Sequence, residues 1–580
     1  MSSSRRSAAL LAALLAAVAA CGTSQRAAEA GANRVLITYT ENLSGDPAND
    51  GAARVVSHLV RSQLTGSRSI AVFEAAHESE AMQRRAGRIV RSWLDANGGK
   101  LQLHVTVRNA DGKTLEQWQN AAGAAEGAAA LAADVVKRLD PSAKELPAAP
   151  AEAASLFGGA LGTPAAEAIP ILQKVVALAP AWGDAYYLLG ANLAATGNTD
   201  EALKVWKDGM ARATGEVSKA RMAVGVATAL RQPAEAAEAN EKLAALLPSE
   251  PEAAMQAGQL RLARGEFAKA AALMKMAVDA QPTVGEWWNQ LAFVQTFAGD
   301  DKAAIESLQR YAQLAPTSGN PPDSRGEIQF MLGRFQEASA SFSEAYAKER
   351  TFLSGATLLK SAQARRMSGD AAGAEKDFQL YWAGALKNHP TRELVRLRWQ
   401  YQTGKKEEAA KQALALAAAA GTAPDTASAF LVQAAWWRLI AGDRAKALDT
   451  AKIAMQKAQS PQAKRDAMLA YYLSQPTASL EEWKRRANGN PPPDVLALAL
   501  VFDRKWKDAL PVLSELARTT HPFRAGHWRV LYAWALTETG DTVQAREWLR
   551  WYPIPLSSGG DLIEPLVMEK AVELRKRAQL

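Results

Sequence analysis

Few residues of this chain have the types and spacing that chemistry requires. The 580 residues include one cysteine and six histidines, which excludes an intramolecular disulfide and a cysteine-based zinc site, because each needs at least two thiols. Residues 158–162 read Gly-Gly-Ala-Leu-Gly and lack the lysine and the hydroxyl side chain of a phosphate-binding loop. Residues 77–81 read His-Glu-Ser-Glu-Ala and lack the second histidine of a zinc-protease helix. The sequence therefore predicts no catalytic residue, no metal and no cofactor, and we expect the protein not to be an enzyme.

The single cysteine, Cys21, directly follows a short apolar run. Arg5 and Arg6 precede this run, which covers residues 8–20. The run is too short to cross a hydrocarbon layer of about 30 Å, but it has the length of the apolar part of a secretory signal. It ends in the small residues Val-Ala-Ala before the cysteine, and this boundary resembles the lipobox of bacterial lipoproteins.

The lipobox resemblance implies a processing step and a membrane anchor. Residues 1–20 would be a lipoprotein signal peptide, and Cys21 would become the acylated first residue of the mature chain. An ordinary signal peptide with Cys21 as a bystander is the alternative. Gly22 stands where an acidic residue retains the lipoproteins of this kind at the inner membrane. The resemblance therefore favours the outer membrane, periplasmic face, over the inner membrane.

Residues 21–33 are polar and alanine-rich, as expected of a tether. The formal net charge of the whole chain is +8, its charged residues are spread along the sequence, and two of the cations lie in the leader. A charge this mild and dispersed predicts no nucleic-acid partner.

Residues 34–140 alternate between strand and helix patterns. β-Branched and alternating apolar runs predict strands over 35–39, 70–73, 89–94, 100–107 and 115–118. Apolar residues at spacings of three and four predict a helix over 53–64, and further helices are expected over 79–87 and 124–139. The turns at 95–99 and 109–112 hold the asparagine, aspartate and glycine residues that tolerate positive φ. The order β-α-β-α-β-β-β-α defines a small α/β domain.

Part of this α/β pattern resembles a known domain. The first strand, the turn over 41–47 and the hairpins between 89 and 118 are similar to the TolB-amino-terminal-like domain. That domain precedes tetratricopeptide repeats in bacterial adenylate cyclases, receptor-type kinases and CadC-like regulators, and the resemblance covers roughly residues 34–140. Tyr39 and Thr40 replace its usual proline and phenylalanine. No cyclase or kinase domain precedes it here, so the resemblance implies no enzymatic activity. The loop over 42–47 is interpreted as a structural turn, with a ligand contact as the alternative.

Small residues recur with a period of 34 residues or slightly more along the rest of the chain. Alanine stands at 168, 202, 236, 270, 304, 338, 374, 409 and 447, and glycine stands five positions before seven of these, at 197, 265, 299, 333, 369, 404 and 442. A helix-turn-helix unit explains the pattern, because the glycine turns the chain after the first helix and the alanine lets the second helix approach the first closely. Prolines at 180, 248, 282 and 316 stop several second helices. This period is typical of tetratricopeptide repeats.

The repeats predict a mostly α fold, an α-solenoid of tetratricopeptide repeats with a small amino-terminal α/β domain. We expect the regular array over 150–460 and degenerate repeat-like helices over 461–580. A final helix over 563–578 would cap the stack, which would contain some twelve helical pairs.

The concave face of such a solenoid is where we expect a partner to bind. Stacked repeats bury their apolar stripes against their neighbours and line a long groove with their first helices, which suits a peptide. The repeat phase places eight candidate residues along this side: Tyr187, Glu252, Gln256, Gln259, Glu286, Asn289, Gln290 and Phe293. Their amides and carboxylates could bond to a ligand backbone, and the two aromatic residues could act as apolar anchors. Solvated groove residues without a binding role are the alternative.

Two functions follow from these patterns. The favoured one is a non-enzymatic, lipid-anchored periplasmic scaffold or adaptor that binds an envelope protein or peptide in its concave groove. In plan it resembles the repeat-containing lipoproteins that assist the assembly of secretins, β-barrels or cell-wall synthases. The alternative is a sensory or regulatory subunit whose α/β domain binds a small ligand or a cell-wall fragment.

Overall fold

The computed structural model describes residues 31–580, except residues 68, 82–85, 98–99, 124–126, 144–149, 249, 391, 420, 477–482, 484–489, 521–522 and 556–561. The predicted signal peptide and Cys21 lie outside the described residues. The chain divides into two compact units. Unit 1 consists of the residues up to 261 together with 268–287, and unit 2 consists of residues 262–267 together with 288–580.

Unit 1 begins with a mixed β-sheet. Its strands are β1 (Gly31–Thr38), β2 (Glu41–Asn42), β3 (Ala71–Ala75), β4 (Ala86–Asn97), β5 (Lys100–Asn109) and β6 (Thr114–Gly123). The order across the sheet is β3-β1-β4-β5-β6, and β2 pairs with β4 outside this path. β1 runs parallel to β3 and β4, whereas β4, β5 and β6 pair antiparallel. Helix α1 (Asp50–Leu64) supplies the crossover that the parallel strands β1 and β3 require.

One face of the sheet forms the core of the α/β domain. The alternating residues Leu101, Leu103, Val105 and Val107 of β5 are all buried, and they pack in one cluster with α1 and with helix α2 (Gly127–Leu139). The predicted alternation and both of these helices are therefore confirmed.

The helix predicted over 79–87 is wrong. Residues 78–81 form a single 3₁₀ turn, and Ala86 and Gly87 already belong to β4. Ala86 pairs with Gly31 of β1, so hydrogen bonding within the sheet takes these residues into the strand. The two-residue strand β2 was not predicted.

Helices in antiparallel pairs follow the α/β domain. The first are α3 (Ala151–Leu161), α4 (Ala165–Leu178), α5 (Gly183–Ala195), α6 (Thr199–Arg212), α7 (Glu216–Ala229), α8 (Pro233–Leu246), α9 (Pro251–Ala263), α10 (Phe267–Ala280), α11 (Gly285–Ala298), α12 (Asp301–Leu314), α13 (Asn320–Met331) and α14 (Phe335–Lys348). The rest are α15 (Thr357–Met367), α16 (Ala371–Ala383), α17 (Arg392–Gln402), α18 (Lys406–Ala418), α19 (Pro424–Ile440), α20 (Arg444–Lys457), α21 (Pro461–Leu473), α22 (Pro493–Phe502), α23 (Trp506–Thr519), α24 (Gly526–Glu538), α25 (Thr542–Trp548) and α26 (Glu564–Arg577). Eleven helix pairs are complete within the described residues, from α3/α4 to α24/α25. The predicted fold class, an α-solenoid of tetratricopeptide-type hairpins with a small α/β domain, is confirmed.

The periodic alanines hold the hairpins together. All nine lie on second helices and are at most 5% exposed, and Ala509 and Ala545 continue the series in α23 and α25. Opposite one of them, Gly190 lets α5 approach α6 so closely that an added Cβ would lie 2.3 Å from Trp206 Nε1. That indole donates a hydrogen bond of 3.2 Å to the carbonyl of Tyr187. Small residues on both helices thus fix the short distance within a hairpin.

The turn inside each hairpin needs a residue at positive φ. All seven periodic glycines have φ between 74° and 96°, the left-handed region in which glycine carries no steric cost. Two hairpins without a glycine at this position fill it with Arg231 and Arg504, each at φ 55°. The turn geometry is therefore kept where its preferred residue is absent.

None of the described helices combines the length and apolar character needed to cross a membrane.

We predict that Arg231→Gly and Arg504→Gly each stabilise the protein. A side chain in the left-handed region costs roughly 1–2 kcal/mol, and the greater freedom of glycine in the unfolded chain offsets roughly 0.5–1 kcal/mol of the gain. The expected net increase in the free energy of unfolding is about 0.5–1 kcal/mol, measured as a higher urea midpoint. Arg264→Gly is the control, because its neighbour Gly265 already holds the positive φ. We expect Arg264→Gly to lower the urea midpoint. If Arg231→Gly lowers it as well, the positive φ at position 231 does not destabilise the protein, and the prediction is wrong.

Candidate functional site

The groove expected from the sequence is lined by the first helix of each pair, and in unit 1 helix α1 covers part of it. Asp184 at the start of α5 is buried. It accepts hydrogen bonds from Ser62 of α1 at 3.1 Å and from Ser218 of α7 at 2.6 Å, and His58 Nε2 of α1 lies 3.2 Å from its Oδ2. One carboxylate thus joins the α/β domain to two successive first helices.

The environment of Asp184 keeps it ionised. Burial opposes the charge, but the hydrogen bonds from His58 and Ser218 and the electrostatic attraction of His58 and Arg221 together hold its pKa well below the usual value. The group is therefore a fixed negative charge that orients its neighbours.

A second set of ion pairs lies beside the first. Glu250, just before α9, meets Arg221 of α7 at 3.0 Å and Arg61 of α1 at 3.4 Å, and Arg61 also reaches Glu74 of β3 at 3.1 Å. Burial raises the pKa of Glu74 in spite of the nearby Arg61. Tyr187 is half-buried, with the guanidinium of Arg221 5.9 Å from its ring centroid. Tyr187, which the sequence predicted as an apolar anchor, therefore lies next to these ion pairs.

Four of the remaining candidates keep their side chains at the surface of unit 1. Glu252 and Gln256 are exposed and Gln259 is half-exposed on α9, while Glu286 is exposed near the start of α11. Positions 252, 256 and 259 follow the spacing of one helix face. This row of two carboxylates and two amides, which we name the α9–α11 row, is the accessible part of the predicted groove in unit 1.

The candidates in unit 2 are less accessible. Phe293 of α11 is 6% exposed, and its ring meets Phe523 edge-to-face at 4.7 Å. Asn289 is buried as well, with no hydrogen-bond partner for its Oδ1 among the described residues, and Gln290 is half-buried. Since an anchor needs exposed surface, the placement of Phe293 differs from the prediction of an open apolar contact.

Helix α26 packs on the last hairpin of the array and also contacts its middle. Leu566, Val567, Ala571 and Leu574 are buried, as predicted from their spacing, and they share a cluster with residues of α24 and α25. Arg577 pairs with Glu538 of α24 at 3.6 Å. In addition, Met568 clusters with Phe330, Phe342 and Ala364, and Lys406 and Glu569 pair at 2.6 Å although 163 positions separate them in the sequence. The predicted helix therefore lies against α24 and reaches α13, α14 and α15 as well.

The segment that leads toward α26 makes contacts of the same kind. The backbone N–H of Tyr552 donates to the carbonyl of Met331 at 2.9 Å, and the ring of Tyr552 meets Phe335 at 5.0 Å. Trp551 meets Phe297 at 5.3 Å. Residues 551–552 and α26 therefore cover surface on α11, α13, α14 and α15.

A buried ion triad in unit 2 has the residue types of a catalytic lysine site but not its chemistry. Lys360 Nζ of α15 donates to Asp323 at 2.7 Å and to Glu327 at 2.6 Å, both on α13. Burial lowers the pKa of Lys360, but the two carboxylates outweigh this and raise it. Burial raises the pKa of Asp323 to about 6 against the attraction of Lys360, and the negative charge of Glu327 adds to the rise. A lysine held protonated is not a nucleophile.

No cluster of three histidine, cysteine or carboxylate side chains suited to a metal occurs in the described part of the chain.

Comparison with known proteins gives a short match in sequence and partial matches in structure. No protein-family model matches the chain. A segment of 192 residues is 31% identical to "Cellulose synthase operon protein C" of Xanthomonas axonopodis pv. citri (strain 306), and the match covers 31% of this chain and only 12% of that protein.

Three solved repeat proteins are similar over parts of the array. The C-terminal part of a TPR repeat-containing protein from Cytophaga hutchinsonii is 15% identical, covering 41% of this chain and 95% of that chain with a TM-score of 0.34. MamA from Desulfovibrio magneticus RS-1 is 19% identical, covering 29% and 98% with a TM-score of 0.26. YrrB, described as a TPR protein with an unusual peptide-binding site, is 16% identical, covering 29% and 87% with a TM-score of 0.25. At these values the likeness carries no information about function.

We predict that Asp184→Asn destabilises unit 1 in a pH-dependent way. A charged, buried hydrogen-bond acceptor contributes roughly 1.5–3 kcal/mol, so the free energy of unfolding should fall by about that amount at pH 7. Because the pKa of the folded state lies below that of the unfolded state, this contribution is present above about pH 4 and is lost as the pH falls through the folded pKa. Urea unfolding of both proteins between pH 2 and pH 7 measures the difference.

Asp208→Asn is the matched control for this experiment. Asp208 forms an exposed pair with Arg212 on α6, and such pairs contribute at most about 1 kcal/mol. A difference between wild type and Asp184→Asn that stays constant down to pH 2 would contradict a depressed pKa for Asp184.

Proposed function

We propose that this protein is a non-enzymatic scaffold that binds a protein or peptide partner along the α9–α11 row. The observation that carries the proposal is the exposure of Glu252, Gln256 and Glu286 on successive first helices, where the corresponding Asp184 of α5 is covered by α1. Carboxylates and amides at the spacing of one helix face can accept and donate hydrogen bonds along an extended backbone. The row thus provides a surface for a partner without any reacting group.

The leader supports a membrane attachment for this scaffold. In the proposal, acyl groups on Cys21 hold the mature chain at the outer membrane, with its repeats in the periplasm. Each buried methylene adds about 0.8 kcal/mol, and more than one acyl chain is needed for durable anchoring. The partner would then be another protein or peptide of the cell envelope.

A cavity in unit 1 supports the alternative, a sensory subunit that binds a small ligand or cell-wall fragment. It has a volume of about 730 Å³ and lies between α1, the residues after α2, and helices α5 and α7. Cavities of this size hold small molecules. Its lining includes Ser67, Asp140 and Ser142, and burial disfavours the charge of Asp140 while hydrogen bonds from the serines lower its pKa overall. A ligand that bound there and left partner capture unchanged would favour this second function.

We predict that the double variant Glu252→Arg, Gln256→Arg loses the partner. A photoreactive amino acid placed at position 259 of the full chain would crosslink the partner in intact membranes, with the yield measured by mass spectrometry. Reversing the charge on the row should lower that yield at least tenfold, the effect of about 1.4 kcal/mol. Glu238→Arg on the exposed side of α8 is the control and should leave the yield unchanged. Equal yields from the double variant and the control would reject the row as the binding surface.

We predict that Cys21→Ser releases the protein from the membrane. Without the thiol no thioether-linked acyl group can form, so the variant should move from the outer-membrane fraction to the soluble fraction. Ser24→Ala, three residues away in the tether, is the control and should stay in the membrane fraction. Mass spectrometry of the first mature residue checks the modification directly, and a wild-type chain without acyl groups on Cys21 would end the anchor proposal.

A further inference from the structure

Unit 2 contains a cavity of about 620 Å³ that none of the eight candidate residues lines. It lies among the first helices α17, α19, α21, α22 and α24, and residues 562–563 close one side. Its volume falls within the range of ligand-binding sites.

The wall of this cavity is largely apolar. Helices α17, α19, α21, α22 and α24 each contribute a leucine or valine, and two tryptophans complete it; these residues are Leu394, Val432, Trp436, Leu469, Leu498, Trp528 and Leu531. Such a surface suits a bulky apolar side chain, and tryptophans are frequent at the centres of binding sites.

One aromatic ring of the wall is held in place by packing. Trp436 is 2% exposed, and its ring meets Phe502 edge-to-face at 6.0 Å. Its indole Nε1 is itself buried, with no hydrogen bond among the described residues. The ring therefore gives the wall a fixed apolar surface.

The charged groups around the cavity are mostly acidic. Asp425 and Asp466 are half-buried and Asp494 is exposed, and they stand against one guanidinium, that of Arg398. Arg398 donates to Gln433 at 2.6 Å, which occupies part of its hydrogen-bonding capacity.

Hydrogen bonds favour the charged form of Asp425. The backbone N–H of Gln459 donates to Asp425 at 2.7 Å, and this bond, with a second from Ser460, holds the pKa of Asp425 below its usual value. Asp466 accepts from Gln462 at 2.8 Å. The surroundings of the apolar wall are thus negative overall, which favours a cationic neighbour for any apolar group that enters.

We propose that this cavity binds a peptide segment with a bulky apolar side chain next to lysine or arginine. The apolar side chain packs on the wall, and the basic residue pairs with Asp466 and Asp494. The inference rests on the scaffold function proposed above and gives one partner segment its chemistry. It concerns a site separate from the α9–α11 row, so the two can be tested independently.

A synthetic peptide array probed with the purified full chain tests the proposal. The array carries hexapeptides in which leucine, phenylalanine or tryptophan is placed beside lysine, glutamate or serine. Peptides with the apolar–basic pair should be retained at least tenfold above those with the apolar–acidic pair. Retention without preference, retention of the acidic series, or no retention at all would overturn the proposal.

Variants of the full chain then locate the binding of the best peptide, measured by fluorescence anisotropy. Asp466→Lys with Asp494→Lys should weaken affinity at least tenfold, and Leu469→Ala, which removes part of the apolar wall, should weaken it severalfold. Asp449→Lys on the outer side of α20, where Asp449 is well exposed, is the control. Circular dichroism and thermal unfolding confirm that each variant is folded, and unchanged affinity in the cavity variants would overturn the assignment.

The same peptide separates this inference from the proposed function. Glu252→Arg with Gln256→Arg should leave peptide affinity unchanged while it removes the partner crosslink in membranes. If the double variant loses the crosslink and the array shows no apolar–basic preference, the scaffold function is supported and peptide binding in the cavity is refuted. If the double variant keeps the crosslink and the array shows specific peptide binding, the α9–α11 row is refuted as the binding surface and the cavity proposal is supported.

Discussion

The close contact between the two helices of each hairpin is the constraint on which this protein depends. A hairpin of some thirty residues cannot bury its apolar face alone, so it is stable only when stacked between neighbours. Alanines such as Ala202 and Ala409, both fully buried, set the separation of the helices that makes stacking regular. Where a large side chain lies at this contact, as Trp206 does, the facing residue is a glycine, here Gly190.

Both units also use their own chain to cover inner helical surface. In unit 1 the α/β domain contributes α1, whose His58 and Ser62 meet Asp184. In unit 2 residues 551–552 and α26 contact helices from the middle of the array. Among the surfaces that remain accessible are the polar row on α9 and α11 and the cavity with acidic surroundings in unit 2. Both suit a peptide, which is why we propose a scaffold function.

The sequence predicts the repeated hairpins and most elements of the α/β domain, and it misses the contacts between segments that lie far apart in the sequence. The alanine and glycine series identifies the hairpins because each hairpin imposes the same steric demand, and the arginines at 231 and 504 show that the demand persists without its preferred residue. The contacts of Asp184 with α1, and of Phe293 with Phe523, depend on rotations between repeats that accumulate along the chain, and no local pattern encodes them. The same holds for α26, whose apolar spacing predicts a buried helix but not the surface on which it packs. The helix expected over 79–87 failed for a related reason, since pairing with β1 outweighs local preference at Ala86.

The pairing of α26 with the middle of the array affects how the polypeptide matures. Repeat arrays usually fold through contacts between neighbours, which keeps sequence separations short and folding fast. Here Lys406 pairs with Glu569, which follows it by 163 positions, so unit 2 includes contacts of high sequence separation, and such contacts slow folding. Until α26 packs in place, Phe330 and Phe335 lack their contacts with Met568 and Tyr552, so a partly folded unit 2 exposes an aromatic surface.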